Sequence, residues 1–335
     1  MPFHISKHAK WAVVGHGSWA TALVKIITEG AGHCGWYVRN PEVLDHVRKH
    51  GSNPKYSTGI RFASPRPDAS GDINKVIRHA DVVVLACPSA FLKTTLEGLT
   101  EPLKDKFVIS AIKGIVTPEN VTVAEWVNET YGVPFSQIGI LTGPCHAEEV
   151  ALNRLSYLTM VCTEPANSAV LAGRLASDYI RVSCSTDIYG IEYASVIKNI
   201  YAIAVGTAVG LGYGDNFLAV LISNANTEMD RFLAGAFPAE RNVSASAYLG
   251  DLLVTSYSQF SRNRTLGVMI GRGYPVAAAQ AEMKMVAEGY YAAACIQGIA
   301  HRYGIEMPIS EMVYKILYRG AAAGEQMQIL TGKLI

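Results

Sequence analysis

Read for the spacing of apolar and polar positions, the chain falls into two halves with different periods. Up to about residue 186, short apolar runs of strand length alternate with helical stretches. The runs Trp11–Val14, Cys34–Val38, Asp81–Cys87, Phe107–Lys113, Ile138–Thr142, Leu158–Cys162 and Ile180–Ser183 predict strands. Continuous apolar runs such as DVVVLAC suit strands covered on both faces of a parallel sheet. Between them, TALVKIITEG predicts a helix with Gly30 as its stop, CHAEEVA starts another, and a third is expected over Asn167–Ser177. Residues 51–72, rich in Pro and Ser, read as a loop with short extended pieces. From Asp187 the strand pattern ends. Helices are expected around Ile191–Gly214 and near Asn216–Ala236, Ala247–Ser256, Thr265–Gly271, Ala277–Tyr303 and Ser310–Gly320. The expectation is an α/β domain over 1–186 and an all-α domain over 187–335.

The second half is organised around IEYASVIKNIYAIAVGTAVGLGYGD, residues 191–215. Its uncharged run, Asn199–Gly214, is 16 residues long and interrupted by Gly206, Gly210 and Gly212. That is short for a membrane span and long enough for a buried helix. Lys198 stands at its start among Val196, Ile197, Ile200 and Ile203. An ammonium in such company loses hydration, so it must be paired, neutralised or put to chemical use.

Composition narrows the partners. A chain of 335 residues is expected to form about two domains, and with half its residues hydrophobic it can bury a sizeable core. Twenty-nine basic against 28 acidic residues leave a net charge of +1, which gives no footprint for nucleic acid or for a polybasic membrane contact. A small ligand is the natural partner. The six cysteines are scattered without a C-x-x-C pair, which suits thiols in a reducing cytoplasm. The opening MPFHISKHAKW lacks the apolar core of a signal peptide. His146 with Glu148 and Glu149 matches no metal-ligand spacing, so no metal is expected.

Candidate chemistry sits where the runs end. After the first strand comes Gly15-His-Gly17-Ser-Trp-Ala20, a G-x-G-x-x-A turn between strand and helix. Gly15 permits the tight turn, Gly17 lets backbone approach a pyrophosphate, and small Ala20 lets helix pack on strand while the helix N-terminus faces the anion. This is the dinucleotide fingerprint. The second strand ends in Arg39-Asn40, where an NAD-preferring site usually has a carboxylate, so NADP or both cofactors are expected. Lys113 follows a strand at the sheet end where ligands gather. The turn at Gly143-Pro144 leads into a helix whose first amides would point the same way. Asp251 and Thr255 share a helix face, and Ser261-Arg262-Asn263-Arg264 offers amides and guanidinium groups suited to a phosphate.

Together the segments GHGSWATAL, Lys113-Gly114, GPCHAEEVA, VIKNIYAIAVGTAVGLGYGDN, LGDLLVTSYSQFSRNR and AEGYYAA…YGIEMPI resemble the bacterial-type NAD(P)-dependent glycerol-3-phosphate dehydrogenases, in that family's order. The resemblance implies a Rossmann-like N-terminal domain and a C-terminal helical domain like that of 6-phosphogluconate dehydrogenase. It implies NAD(P)H-dependent reduction of dihydroxyacetone phosphate to sn-glycerol 3-phosphate, with glycerol phosphate supplied to phospholipid synthesis; the expected NADPH preference comes from Arg39. By similarity Lys198 is the general acid/base, with Lys113 and Asp251 completing the catalytic cage. Gly143, Cys145, Ser261, Arg262 and Asn263 match substrate positions. Gly15, Gly17, Ser18, Trp19, Arg39, Lys113, Ala147, Arg262, Val286 and Glu288 match cofactor contacts. A homodimer in the cytoplasm is expected, with no integral membrane segment and no nucleic-acid partner.

Some positions depart from the family pattern. Ala20 replaces a third glycine, Cys145-His146 a small hydroxyl residue and Phe, Asn224 a common arginine, and Val209 an acidic residue. None of these removes a catalytic group. Two other readings remain open at this level: a β-hydroxyacid dehydrogenase of the 6-phosphogluconate type, and a non-catalytic NADP-binding sensor. The pairing of Gly250-Asp251 with Ser261-Arg-Asn argues against the first, and retention of Lys113, Lys198 and Asp251 against the second.

Overall fold

A computed structural model describes residues 3–62, 66–283 and 286–335. The chain divides into two compact units, Met1–Ile112 with Val121–Ile188 and Lys113–Asn120 with Tyr189–Ile335.

The first unit is built on an eight-stranded sheet in the order β3-β2-β1-β4-β5-β6-β7-β8. Its strands are β1 (Trp11–Val14), β2 (Cys34–Tyr37), β3 (Asp68–Ser70), β4 (Val82–Leu85), β5 (Phe107–Ser110), β6 (Ile138–Thr142), β7 (Ser156–Cys162) and β8 (Ile180–Ser185). All neighbours are parallel except β6 and β7, which run antiparallel. Strands β1, β4 and β5 are buried at every position, as their unbroken apolar sequences require. Trp11 pairs with Cys34 on one side and Val82 on the other, so the strand order reverses at β1. In open α/β sheets that reversal opens the ligand crevice beyond the carboxyl ends.

The helices of this unit are α1 (Ser18–Ala31), α2 (Pro41–His50), α3 (Ile73–Arg78), α4 (Leu92–Leu96), α5 (Val123–Tyr131), α6 (Ala147–Ala151) and α7 (Pro165–Leu175). Strand β3 lies inside the stretch expected to be a loop with short extended pieces. Gly30 does not stop α1. The helix continues to Ala31 and ends at Gly32 with φ 82°. A Cβ at Gly30 would lie 2.0 Å from the Arg174 carbonyl oxygen, so close packing of α1 on α7 explains that glycine.

The second unit contains α8 (Ile188–Gly210), α9 (Asp215–Ala236), α10 (Asp251–Tyr257), α11 (Arg262–Gly271), α12 (Val276–Glu282), α13 (Glu288–Tyr303), α14 (Pro308–Arg319) and α15 (Ala323–Thr331). A π-helical turn, Ser246–Gly250, leads into α10. The expected single helix over Ala277–Tyr303 is two. Helix α12 ends at Met283 in extended conformation and α13 starts after Ala287, while two positions between them, 284 and 285, lie outside the described residues.

The glycines of α8 are packing devices. Cβ atoms at Gly206 and Gly210 would meet the carbonyl oxygens of Arg264 at 2.1 Å and Val268 at 2.4 Å, and those at Gly267 and Gly271 would meet Ile203 and Thr207 carbonyls at 2.2 and 2.3 Å. Helices α8 and α11 therefore touch backbone to backbone through two small-x-x-x-small faces. No helix among the described residues is long and apolar enough to cross a membrane.

Candidate active site

In the first unit, Gly15 and Gly17 hold the turn between β1 and α1. Gly15 has φ 127°, and a Cβ there would come within 2.5 Å of the Ala86 carbonyl oxygen, so only glycine fits. Its amide donates to the Tyr37 carbonyl at 3.3 Å, and its own carbonyl accepts from Trp36 Nε1 at 2.6 Å. Gly17 is different: a Cβ on it would meet nothing within 4 Å. It is also the N-cap of α1 and offers no side chain to the helix end.

That cradle suits the pyrophosphate of a dinucleotide: open space over Gly17, and the positive end of a 14-residue helix beside it. Trp19 Nε1 is buried with no hydrogen-bond partner among the described residues, a further donor in the same turn. Ser18 is buried, and Arg39 leaves β2 with Nη1 donating to the Thr94 carbonyl at 3.2 Å. Gly143 ends β6 with φ 126°, and Cys145 and Ala147 beyond it are buried at the start of α6. The glycine turn, with open space at Gly17 and the start of α1 beside it, has the shape a pyrophosphate requires.

The second unit concentrates charge in its interior. Lys198, on α8, is 4 % exposed, and Asp251, the first residue of α10, is 1 % exposed. Lys198 Nζ lies 3.0 Å from Asp251 Oδ1 and donates to Thr255 Oγ1 at 2.5 Å. The Thr255 hydroxyl in turn donates to the Asp251 carbonyl at 2.6 Å. Lys113 Nζ contacts the other carboxylate oxygen, Oδ2, at 2.8 Å. One carboxylate therefore bridges two ammonium groups, Lys198 sealed and Lys113 partly open to solvent.

Electrostatics follow from that arrangement. Burial brings the Lys198 ammonium down to about 8, against the opposing pull of Asp251, and the charge of Lys113 lowers it further. Burial alone would raise the Asp251 carboxyl, yet the two lysines hold it below its usual value. A lysine in this state exchanges a proton near neutral pH, which a solvated lysine does not.

The backbone of Lys113 is fixed by residues that the sequence did not single out for that work. Asn199 Nδ2 donates to the Lys113 carbonyl at 2.8 Å and to the Ser195 carbonyl at 3.2 Å. Asn263 Nδ2 donates to Asn199 Oδ1 at 2.9 Å, and Asn263 Oδ1 accepts the Gly289 amide at 2.9 Å. Asn199 was legible only as the neighbour of Lys198. Ser261 caps α11 by accepting the Arg264 amide at 3.3 Å, so its hydroxyl shapes the helix start. Arg262, the first residue of α11, is half-buried, as are Val286 and, at the start of α13, Glu288.

The structure thus brings Lys113, Lys198, Asp251 and Thr255 together and joins Asn263 to them through Asn199. Gly143 and Cys145 belong to the first unit, whereas Ser261, Arg262 and Asn263 belong to the second. Strand β5 stops at Ser110, so Lys113 does not end a strand as expected and instead opens the segment Lys113–Asn120 of the second unit. Among the described residues no group of three His, Cys, Asp or Glu could hold a metal.

A parallel-rich sheet with a glycine turn at its switch point, joined to a helical unit carrying a buried lysine, defines a two-unit dinucleotide-dependent dehydrogenase. Residues 10–168 match the model for the N-terminus of NAD-dependent glycerol-3-phosphate dehydrogenase, and residues 187–328 match that for its C-terminus. The chain is 34 % identical to a Thermobifida fusca glycerol-3-phosphate dehydrogenase, NAD(P)+, over 95 % of each chain. It is 35 % identical to the Chlorobium limicola protein of the same name, over 92 % of this chain and 93 % of that one. The solved structure of glycerol-3-phosphate dehydrogenase from Coxiella burnetii superposes with a TM-score of 0.89 at 27 % identity, covering 97 % of this chain and 99 % of that one. The chain belongs to the NAD-dependent glycerol-3-phosphate dehydrogenase family.

Proposed function

We propose that the protein catalyses reversible NAD(P)H-dependent reduction of dihydroxyacetone phosphate to sn-glycerol 3-phosphate, with Lys198 as the proton-transfer group. The observation that carries the assignment is the buried Lys198–Asp251–Lys113 bridge. Family membership and the relatives' shared name support the reaction. When bound, the nicotinamide supplies or takes the hydride at the carbon of the ketone or alcohol.

The chain's own residues handle the proton and the charge. As the carbonyl becomes an alkoxide, Lys198 Nζ gives up a proton to the oxygen, which is favourable because its pKa is brought near neutrality. Asp251 keeps the ammonium oriented through Oδ1, and Thr255 fixes a second Nζ–H direction. Two ammonium groups around one carboxylate leave a local excess of one positive charge, available to a phosphorylated substrate without making the chain basic. Ser261, Arg262 and Asn263 present the start of α11 as the phosphate side of this reading. Gly15, Gly17, Ser18, Trp19, Arg39 and Ala147 are the residues of the first unit that hold the cofactor in this reading. A homodimer in the cytoplasm completes the proposal; all six cysteines are described and none is disulfide-bonded, as suits a reducing compartment. Light scattering of the purified chain tests the dimer.

The direct test follows absorbance at 340 nm with dihydroxyacetone phosphate and NADPH or NADH in parallel. Substrate-dependent loss of absorbance is expected in at least one. Silence in both, with cofactor bound, would refute the reaction and leave the fold.

A further inference from the structure

The loop after α2 is tied to the glycine turn by one residue, Asn53. It is 0 % exposed, and both sides of its amide are used. Nδ2 donates to the His16 carbonyl at 3.0 Å and to Thr21 Oγ1 at 2.9 Å, while Oδ1 accepts the amides of Lys55 at 3.0 Å and Tyr56 at 3.1 Å. Thr21 Oγ1 itself donates to the Gly17 carbonyl at 2.8 Å. Lys55 is therefore carried on a backbone fixed to the turn, although its side chain is exposed.

Its charge joins that of Arg39 there. His16, in the middle of the glycine turn, is held below its ordinary pKa by burial, then by Arg39 and by Lys55. Lys55 Nζ also lies 3.2 Å from Glu42 Oε2, and Glu42 stands in the first turn of α2, immediately after Arg39-Asn40. Val38, Arg39 and Asn40, directly after β2, include no carboxylate; Glu42 is paired with Lys55, and Asp72, beyond β3, caps α3 through the amides of Asn74 and Lys75. The end of β2 thus presents two cations, and the two carboxylates near it are engaged by Lys55 and by the start of α3. A phosphate monoester on the ribose is the ligand of matching charge.

We propose that Lys55, positioned by Asn53, forms with Arg39 the subsite for the adenosine 2′-phosphate of the cofactor, and that Glu42 competes with that phosphate for Lys55. The inference rests on the reading that the first unit binds a nicotinamide dinucleotide. It adds two specificity-determining residues, one for and one against NADPH.

The test is direct binding, without substrate, to the full-length chain. NADPH, NADH, 2′,5′-ADP and 5′-AMP are titrated calorimetrically into wild type, K55A and E42Q. K55A is expected to weaken NADPH and 2′,5′-ADP by roughly fivefold to tenfold, the scale of one exposed charge-assisted contact, with NADH and 5′-AMP unchanged. E42Q is expected to tighten only the two 2′-phosphorylated ligands, by roughly twofold to fivefold. Equal loss of all four ligands in K55A, or no loss of any, overturns the inference while the functional reading stands. If wild type binds neither dinucleotide, that reading falls and this inference with it. Both side chains are exposed, so thermal melting at the wild-type temperature verifies that the variants are folded.

Discussion

The glycine turn of the first unit and the lysine pair of the second are assembled by different means. At the turn, recognition is a matter of backbone: Gly15 and Gly17 shape the path, α1 points its amides, and the cations Arg39 and Lys55 remain solvated at the rim. In the second unit the groups are side chains, brought from Lys113, Lys198 on α8 and Asp251 on α10, with Lys198 and Asp251 sealed from water and Lys113 partly open to it. A surface cation contributes through long-range attraction that salt screens, whereas a buried one has its pKa set by its neighbours. The first arrangement suits binding an anion. The second suits moving a proton.

Breaking the buried site has the larger effect. Lys198→Ala removes the proposed proton donor and is expected to lower kcat by on the order of 10²-fold or more. Circular dichroism of the variant should match wild type, since alanine leaves Asp251 paired with Lys113. Near-normal turnover would show that the proton comes from elsewhere.

This contrast also governs how much could be read from the sequence. The glycine turn is local: Gly15, Gly17 and Ala20 sit on a strand-turn-helix unit that periodicity alone displays. Lys198 was legible because an ammonium among isoleucines is anomalous wherever it occurs. Its partners were joined to it only through the family resemblance, since Lys113, Asp251 and Asn263 are 138 and 12 positions apart and nothing in local spacing links them. The Asn199–Asn263 link escaped for the same reason, and because asparagines on polar faces are ordinary. Gly30 was misread as a stop because a glycine chosen for close helix packing looks, in sequence, like one chosen for φ. Asn53 lay within a polar stretch that offered no period to read.

Asp251→Asn probes the coupling within the buried site. The neutral amide no longer offsets the two lysines, so Lys198 loses the interaction that raises its pKa. With Lys198 as the proposed proton donor, wild-type ketone reduction is expected to fall as pH rises through about 8. In the variant that falling limb moves to lower pH, and kcat at neutral pH drops by roughly 30-fold. A lower kcat with an unmoved limb would mean that Asp251 acts only on geometry.

The glycine turn answers with binding and stability effects instead. Gly17 has ordinary extended angles, φ −74° and ψ −175°, with open space where a Cβ would go. Gly17→Ala is therefore expected to leave the melting temperature unchanged while weakening NADH and NADPH alike by about tenfold, because the methyl occupies the pyrophosphate's approach. Gly15→Ala forces a methyl against the Ala86 carbonyl at a φ that favours glycine, and should instead destabilise the unit by about 1–3 kcal/mol. Equal behaviour of the two variants would erase the distinction between the shaping glycine and the contact glycine.

The smallest effect belongs to the solvated rim. Arg39 donates to the Thr94 main-chain carbonyl from an exposed position, so its replacement leaves no buried group without a partner. Arg39→Asp should fold normally and place at the end of β2 the carboxylate that a ribose 2′-hydroxyl requires, while repelling a 2′-phosphate. The ratio of kcat/KM for NADPH to that for NADH is expected to fall by about fivefold, a scale set by one screened charge contact. Raising the salt concentration should compress the wild-type ratio towards that of the variant, since screening acts on the rim cations and not on the sealed Lys198. An unchanged ratio in Arg39→Asp would remove Arg39 from cofactor choice and leave its contact with Thr94 as its whole role.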